Sequence, residues 1–175
     1  MFRLFSFSFV FIFGLSCFSQ DTTIIHKRFF KTQQVAMGSL GAWSVGNLIV
    51  SPLLSNNIFK RGSFTTSGDY YHQMNFDWNI VNCAIAGLGY WSVCRRKKKS
   101  WNFSSLEKDK KKLTTSLAVN MGLDVVYIVS GILLNRAGHN SPLNSELKIG
   151  YGNSLMLQGG FLLVFDCFLL RKTIK

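Results

Sequence analysis

Apolar residues are concentrated in four long blocks that are separated by polar segments. The blocks cover residues 33–54, 76–93, 113–135 and 151–170, and none of them contains Lys or Arg. Each block is close to the ~20 residues that a helix needs to cross a bilayer at ~1.5 Å per residue. The helices of a soluble bundle would each need a charged outer face, which these blocks cannot supply. The pattern therefore predicts an all-α fold, an integral membrane four-helix bundle built from two helical hairpins.

A shorter apolar block covers residues 4–19 and follows Arg3. A basic start, an apolar stretch and small residues just before Gln20 are typical of a secretory signal. With about 16 residues, this block is short for a membrane span. We therefore expect residues 1–19 to be a signal peptide or a signal-anchor helix, and residues 20–175 to form a single membrane domain.

The chain is strongly basic, with 20 Lys and Arg against 8 Asp and Glu and a net charge of +12. Such a charge often indicates nucleic-acid binding. Here, however, segments 20–32, 94–112 and 171–175 carry +2, +7 and +3, and four spans would place all three on one side of the membrane. The opposite loops, 55–75 and 136–150, carry +1 each. The charge therefore describes membrane orientation, and we expect no nucleic-acid partner.

Lys and Arg in short loops mark the cytoplasmic side of a membrane, which predicts a multi-pass protein of the cytoplasmic (inner) membrane. A cleaved signal would instead leave Gln20, and with it the basic segment 94–112, outside. Retaining residues 4–19 as a helix would keep that segment inside, so the sequence leaves cleavage and orientation open together. The Lys and Arg side chains between residues 95 and 112 are expected to contact anionic lipid headgroups.

Polar side chains inside the apolar blocks are the best candidates for function, because they are costly at membrane depth. One lies near the middle of each block, which places Asn47, Asn82, Asp124 and Gln158 in one thin layer. Further polar positions in or beside the blocks are Asn75, Asp77, Asn79, Asn120 and Asp166. The layer has two interpretations: hydrogen bonds that lock the bundle, or a site for a proton, a cation or a small polar ligand.

Motifs for catalysis or cofactor binding do not stand out in the sequence. His72 and His139 fall on the same side of the predicted bundle and could form a haem or metal pair, but no ligand spacing supports it. The sequence has no Gly-rich phosphate loop, nucleophile elbow or zinc helix motif. We therefore expect no cofactor, no catalytic residue and no enzymatic activity.

Three polar signatures together resemble a known family. Residues 71–82 contain YHQMN and WNIVN, residues 120–127 read NMGLDVVY, and residues 157–166 read LQGGFLLVFD. As a set they resemble an uncharacterised domain-of-unknown-function family of small polytopic membrane proteins from bacteroidete-type bacteria. The resemblance covers residues 33–170 and implies no activity or substrate.

Three functions are compatible with this sequence. The first is a non-enzymatic structural or partner-binding membrane subunit, whose small-residue faces, such as Gly38, Gly41 and Gly46, dock other helices. The second is a small ion, proton or solute carrier component that uses the intramembrane layer of Asn, Gln and Asp. The third is a haem or metal membrane protein. We rank them in this order.

Overall fold

The structure is a computed structural model that describes residues 2–55, 58–59, 64–99 and 101–174, with side chains from residue 23 onward. The predicted signal segment 1–19 lies outside the described side chains and stays a prediction. This part of the chain contains helices and no strand, which confirms the all-α prediction. The helices are α1 (Phe2–Leu54), α2 (Ser67–Lys97), α3 (Phe103–Asn140) and α4 (Ser145–Ile174).

The helices are longer than the apolar blocks from which they were predicted. Helix α2 begins at Ser67, where the Thr66 side chain accepts a hydrogen bond from the Asp69 amide at 3.2 Å. Helix α3 begins after Asn102, whose side chain accepts from the Ser105 amide at 2.8 Å in a capping box. The apolar pattern therefore marks where a helix can lie in lipid, while polar caps set where it begins.

The basic segment 94–112, predicted to be a loop, is mostly helical. Helix α2 continues to Lys97 and α3 starts at Phe103, so only residues 98–102 lie between them. Lys and Arg favour helices as much as most apolar residues do, and hydropathy alone cannot distinguish a solvated helix end from a loop.

Two antiparallel hairpins make up the bundle. Helix α3 packs most extensively on α4 and α1 on α2, and α4 also contacts α2 and, less extensively, α1. Only residues 141–144 separate α3 from α4, and Asn144 takes the left-handed conformation, with a φ of 55°, that Asn tolerates better than most residues. This short turn keeps α3 and α4 in close contact from their connected ends onward.

Many of the buried side chains of the bundle are polar, while large apolar side chains lie on its outside. Leu53, Leu88 and Val164 are 73%, 68% and 71% exposed. The fully buried side chains, in contrast, include Ser44, Ser51, Asn79, Ser154 and Gln158. Three helical segments are long and apolar enough to cross a membrane, namely Thr23–Leu54, α3 and α4. Such an outside-apolar arrangement is typical of helices that pack in lipid.

One end of the bundle gathers the basic segments. Arg96 of α2 pairs with Asp109 of α3 at 2.7 Å and donates to Gln33 of α1 at 3.0 Å. Beneath these contacts lies a small apolar cluster formed by Phe29, Phe30, Val93 and Leu106. Helices α1, α2 and α3 therefore place their basic residues together, as the charge pattern predicts for one membrane face.

The opposite end is held by hydrogen bonds to carboxylates. The Ser55 hydroxyl donates to Asp69 at 2.7 Å, and the Ser67 amide donates to Glu146 at 2.6 Å. The hydrogen bond from Ser55 lowers the pKa of the Asp69 carboxyl, with a smaller contribution from Thr66 and an opposing one from burial. Asp69 therefore links the α1–α2 connection in its ionised form.

Acid is expected to weaken this end of the bundle through Asp69. A carboxyl whose pKa is lowered on folding stabilises the fold above its ordinary pKa of about 4, and this stabilisation is lost as the pH falls through the lower folded value. The difference in thermal midpoint between wild type and Asp69→Asn should therefore be largest at pH 7 and should shrink as the pH falls below about 4. Tryptophan fluorescence in detergent measures it, with the exposed Glu107→Gln as the control. A wild-type advantage that persists unchanged to pH 3 would contradict the assignment.

Candidate functional site

A buried hydrogen-bond network joins three of the four helices, and its centre is Asn75 of α2. The Asn75 side-chain amide donates to Asn47 at 2.6 Å and to Ser51 at 3.3 Å, both on α1. The side-chain carbonyl oxygen of Asn75 accepts a hydrogen bond from the side-chain amide of Gln158 on α4. Gln158 in turn accepts from the indole N–H of Trp43 at 3.4 Å. These hydrogen bonds join side chains of different helices, so they fix α1, α2 and α4 relative to one another.

The layer predicted from the sequence is divided between two places in the structure. Asn47 and Gln158 belong to the Asn75 network, whereas Asn82 and Asp124 line a separate cavity. Asn75, one of the further polar positions, lies just before the apolar block 76–93, but α2 begins at Ser67 and places it well inside the helix. Two members of the network, Trp43 and Ser51, were not predicted. Their spacing of four residues on either side of Asn47 is a helical-face signal that could have identified them.

A cavity of about 480 Å³ lies between α2 and α3, with α4 behind it and part of α1 at one end. It exists because α3 packs mainly on α4 and leaves a space beside α2. Amide and carboxyl side chains from three helices line it: Asn82 from α2, Asn120 and Asp124 from α3, and Asp166 from α4. All four were among the polar positions singled out in the sequence.

Two of these side chains are buried and carry polar atoms without a hydrogen-bond partner. Asp124 is 3% exposed and Asn82 is 4% exposed. Neither Asp124 Oδ2 nor Asn82 Nδ2 has a partner in the described part of the chain. Asp166 is also buried, and the Asn120 side chain lies near its carboxyl group. The cavity therefore presents one carboxylate oxygen and one amide group that protein contacts leave unsatisfied.

Aromatic and aliphatic side chains form the rest of the cavity. The rings of Trp78 and Tyr127, from α2 and α3, lie edge to face with centroids 4.9 Å apart, and both line the cavity. Val81, Leu123 and Leu162 add apolar surface. An apolar, aromatic wall with a few convergent polar groups is the usual construction of a small-molecule site, and the volume is in the range of such sites.

The remaining predicted positions lie elsewhere. Asn79 is fully buried and donates to the Asn75 backbone carbonyl at 2.7 Å, which makes it part of the α2 interior. Asp77 is half-buried and does not line the cavity. His139 Nδ1 lies 3.0 Å from the carbonyl oxygen of Asn135, one turn earlier in the same helix. In the part of the chain that the structure describes, no three His, Cys, Asp or Glu residues come close enough to hold a metal ion, so neither His72 nor His139 belongs to such a group.

Comparison with known proteins gives one match. Residues 39–167 match a family of unknown function, DUF6992. This match covers both the Asn75 network and the four amide and carboxyl residues of the cavity, and it agrees with the resemblance to an uncharacterised family. No curated protein matches the chain, and no solved structure does.

Proposed function

The chain belongs to this family of unknown function, and we propose that it is a non-enzymatic membrane protein that binds a small organic cation in the cavity between α2, α3 and α4. One observation carries the proposal. The buried Asp124 carboxyl presents an oxygen without a partner to a cavity large enough for a ligand. A buried anion is expensive unless a counter-charge accompanies it, and the cavity lining contains no Lys or Arg.

The electrostatics of the cavity favour a cation. Asp124 and Asp166 lie close enough to interact electrostatically, and a cation between them would stabilise the ionised form of both carboxyls. The side-chain oxygens of Asn82 and Asn120 are further acceptors for a donor group on the ligand. These groups would serve a ligand with a positive charge and N–H groups, such as an amine.

The remaining lining favours an organic ion over a hydrated metal ion. The wall between the polar groups is aliphatic and aromatic, and Trp78 and Tyr127 present ring surface to the cavity. Aromatic rings attract organic cations through their quadrupoles, and apolar side chains replace water around the hydrocarbon part of such a ligand. An inorganic cation would instead need several oxygen ligands around one point.

We also propose that all four helices cross a membrane, and that α2 does so with its amide groups facing the interior of the bundle and its aliphatic side chains facing outward. Asn75, Asn79 and Asn82 are all buried, while Ile80, Val81 and Leu88 of the same helix are exposed. The basic end would face the cytoplasm and contact anionic headgroups, following the charge rule for short loops.

The test is binding of a lipophilic organic cation to the purified protein in detergent. We expect radiolabelled tetraphenylphosphonium to bind saturably, and Asp124→Asn to weaken binding at least about tenfold, since it removes the charge and keeps the shape. Asp77→Asn is the matched control, because it removes a carboxyl from α2 that does not line the cavity. Its affinity should equal that of the wild type.

Three outcomes would overturn the proposal. Equal affinity of Asp124→Asn and wild type would place any binding elsewhere. Equal binding of the neutral analogue triphenylphosphine oxide would show that charge is not recognised. Displacement of the organic cation by millimolar Na⁺ or K⁺ would instead identify a site for an inorganic ion.

A partner-binding subunit is the second candidate function, and glycines on the outside of the bundle favour it. A side chain added at Gly38, Gly46 or Gly87 would meet nothing within 4 Å, so these positions offer flat surface to another helix. Gly41 and Gly89, in contrast, already contact neighbouring helices. A purely structural subunit would show no Asp124-dependent binding, so the same measurement separates the two functions.

A further inference from the structure

A second groove lies on the lipid-facing side of the bundle, between α1 and α4. Its volume is about 500 Å³, close to that of the α2–α3–α4 cavity. The walls are apolar along most of their length, with Val35 from α1 and Phe161, Val164 and Phe168 from α4. Val35, Val164 and Phe168 are more than half exposed, so the groove is open to its surroundings. It forms because α1 and α4 contact each other over only a small part of their length.

Three cationic side chains close one end of this groove. Arg28 and Lys31 come from α1, and Lys172 comes from α4. Arg28 and Lys172 also line a small adjoining cleft together with Lys110 of α3, so cations from three helices converge there. Lys172 Nζ lies 5.5 Å from the ring centroid of Phe168, which orients it over the groove wall. No acidic residue is among those that line the groove or the cleft.

The length of the groove matches one leaflet of a membrane. From Arg28 to Ser39 on α1, and from Phe161 to Lys172 on α4, the lining extends over eleven helical steps, or roughly 16 Å at ~1.5 Å per residue. Half of the hydrocarbon core of a bilayer is about 15 Å thick. The cations therefore fall at headgroup level when the apolar wall lies among the acyl chains.

We propose that this groove binds one anionic phospholipid, with an acyl chain along Val35, Phe161 and Val164 and the phosphate held by Arg28, Lys31 and Lys172. The positive charge at the end of the groove favours an anionic phospholipid over a helix of another protein. A transmembrane helix of another protein would leave the cationic end without a counter-charge, whereas an anionic phospholipid supplies both a chain for the wall and an anion for the end. The site is separate from the turn between α2 and α3, whose lysines would contact headgroups without a groove for the chain.

Lipid retention during purification tests the proposal. The protein is incubated in neutral detergent with labelled phosphatidylglycerol or phosphatidylethanolamine, and bound lipid is measured by native mass spectrometry. We expect about one phosphatidylglycerol to be retained per chain in preference to phosphatidylethanolamine. The triple variant Arg28→Gln, Lys31→Gln, Lys172→Gln should lower the affinity at least about tenfold.

Two further variants distinguish a defined site from general attraction. Lys97→Gln, Lys98→Gln, Lys99→Gln removes the same charge from the end of α2 and the turn that follows it, and should retain phosphatidylglycerol as the wild type does. Ser39→Trp places a large ring at the apolar end of the groove and should lower retention with all cations in place. Equal losses in both triple variants, or full retention in Ser39→Trp, would overturn the proposal.

Discussion

Replacing Gly131 with Ala is expected to destabilise the protein by about 1–3 kcal/mol, although the change adds a single methyl group. Gly131 of α3 faces Gly152 of α4, and a Cβ at Gly131 would lie 2.7 Å from the Gly152 carbonyl oxygen and 2.9 Å from the Met156 amide nitrogen. Both neighbours are backbone atoms, which no side-chain rotation can move. Helices α3 and α4 must therefore move apart, and they must move further apart in Gly131→Leu.

Gly122→Ala is the matched control for this prediction. Gly122 lies on the same helix, but a Cβ there would meet nothing within 4 Å. Ala is favoured over Gly in a helix interior by up to about 1 kcal/mol, so this variant should equal or exceed the wild type in stability. Unfolding by SDS in mixed micelles, followed by tryptophan fluorescence, measures both. If Gly131→Ala is as stable as Gly122→Ala, the backbones of α3 and α4 do not approach as closely as described.

The glycines show how far sequence alone could reach. Composition indicated that small residues serve helix packing, and Gly159 does so, since a Cβ there would lie 2.9 Å from the Asp124 carbonyl oxygen. Gly131 and Gly152, where the backbones of α3 and α4 approach closely, do not stand out in the sequence. They lie near the segment 136–150, which the sequence predicts to be a loop, while the actual connection between α3 and α4 is much shorter. Packing depends on turn length, which hydropathy does not report.

The polar residues illustrate a different limit. Their cost at membrane depth identified Asn82, Asp124 and Asp166 as interior positions, and all three are buried. Depth along a helix can be estimated from the sequence, but rotation about the helix and the arrangement of helices cannot. For that reason Asn47 and Asp124, predicted in one layer, lie in two separate sites, and only the packing of α3 on α4 reveals the cavity beside α2.

Asn75→Leu is expected to cost at least about 3 kcal/mol of unfolding free energy. It removes the hydrogen bonds to Asn47 and Ser51 of α1 and to Gln158 of α4, each worth roughly 0.6–1.7 kcal/mol in a membrane bundle. It also leaves the buried Gln158 amide without an acceptor, a penalty of about 1–3 kcal/mol. Asn153→Leu should cost less stability, because Asn153 is exposed and its side-chain oxygen accepts one hydrogen bond, from the Asn135 side chain at 2.8 Å.

A double-mutant cycle identifies the origin of this loss. Gln158→Leu removes the group that Asn75→Leu leaves unsatisfied, so the double variant should lose clearly less stability than the two single losses added together. Additive losses would contradict a direct hydrogen bond between the two side chains.

The same variants also separate stability from binding, because neither residue lines the cavity between α2, α3 and α4. Asn75→Leu should lower stability and leave the affinity for tetraphenylphosphonium unchanged, while Asp124→Asn should lower the affinity and preserve the fold.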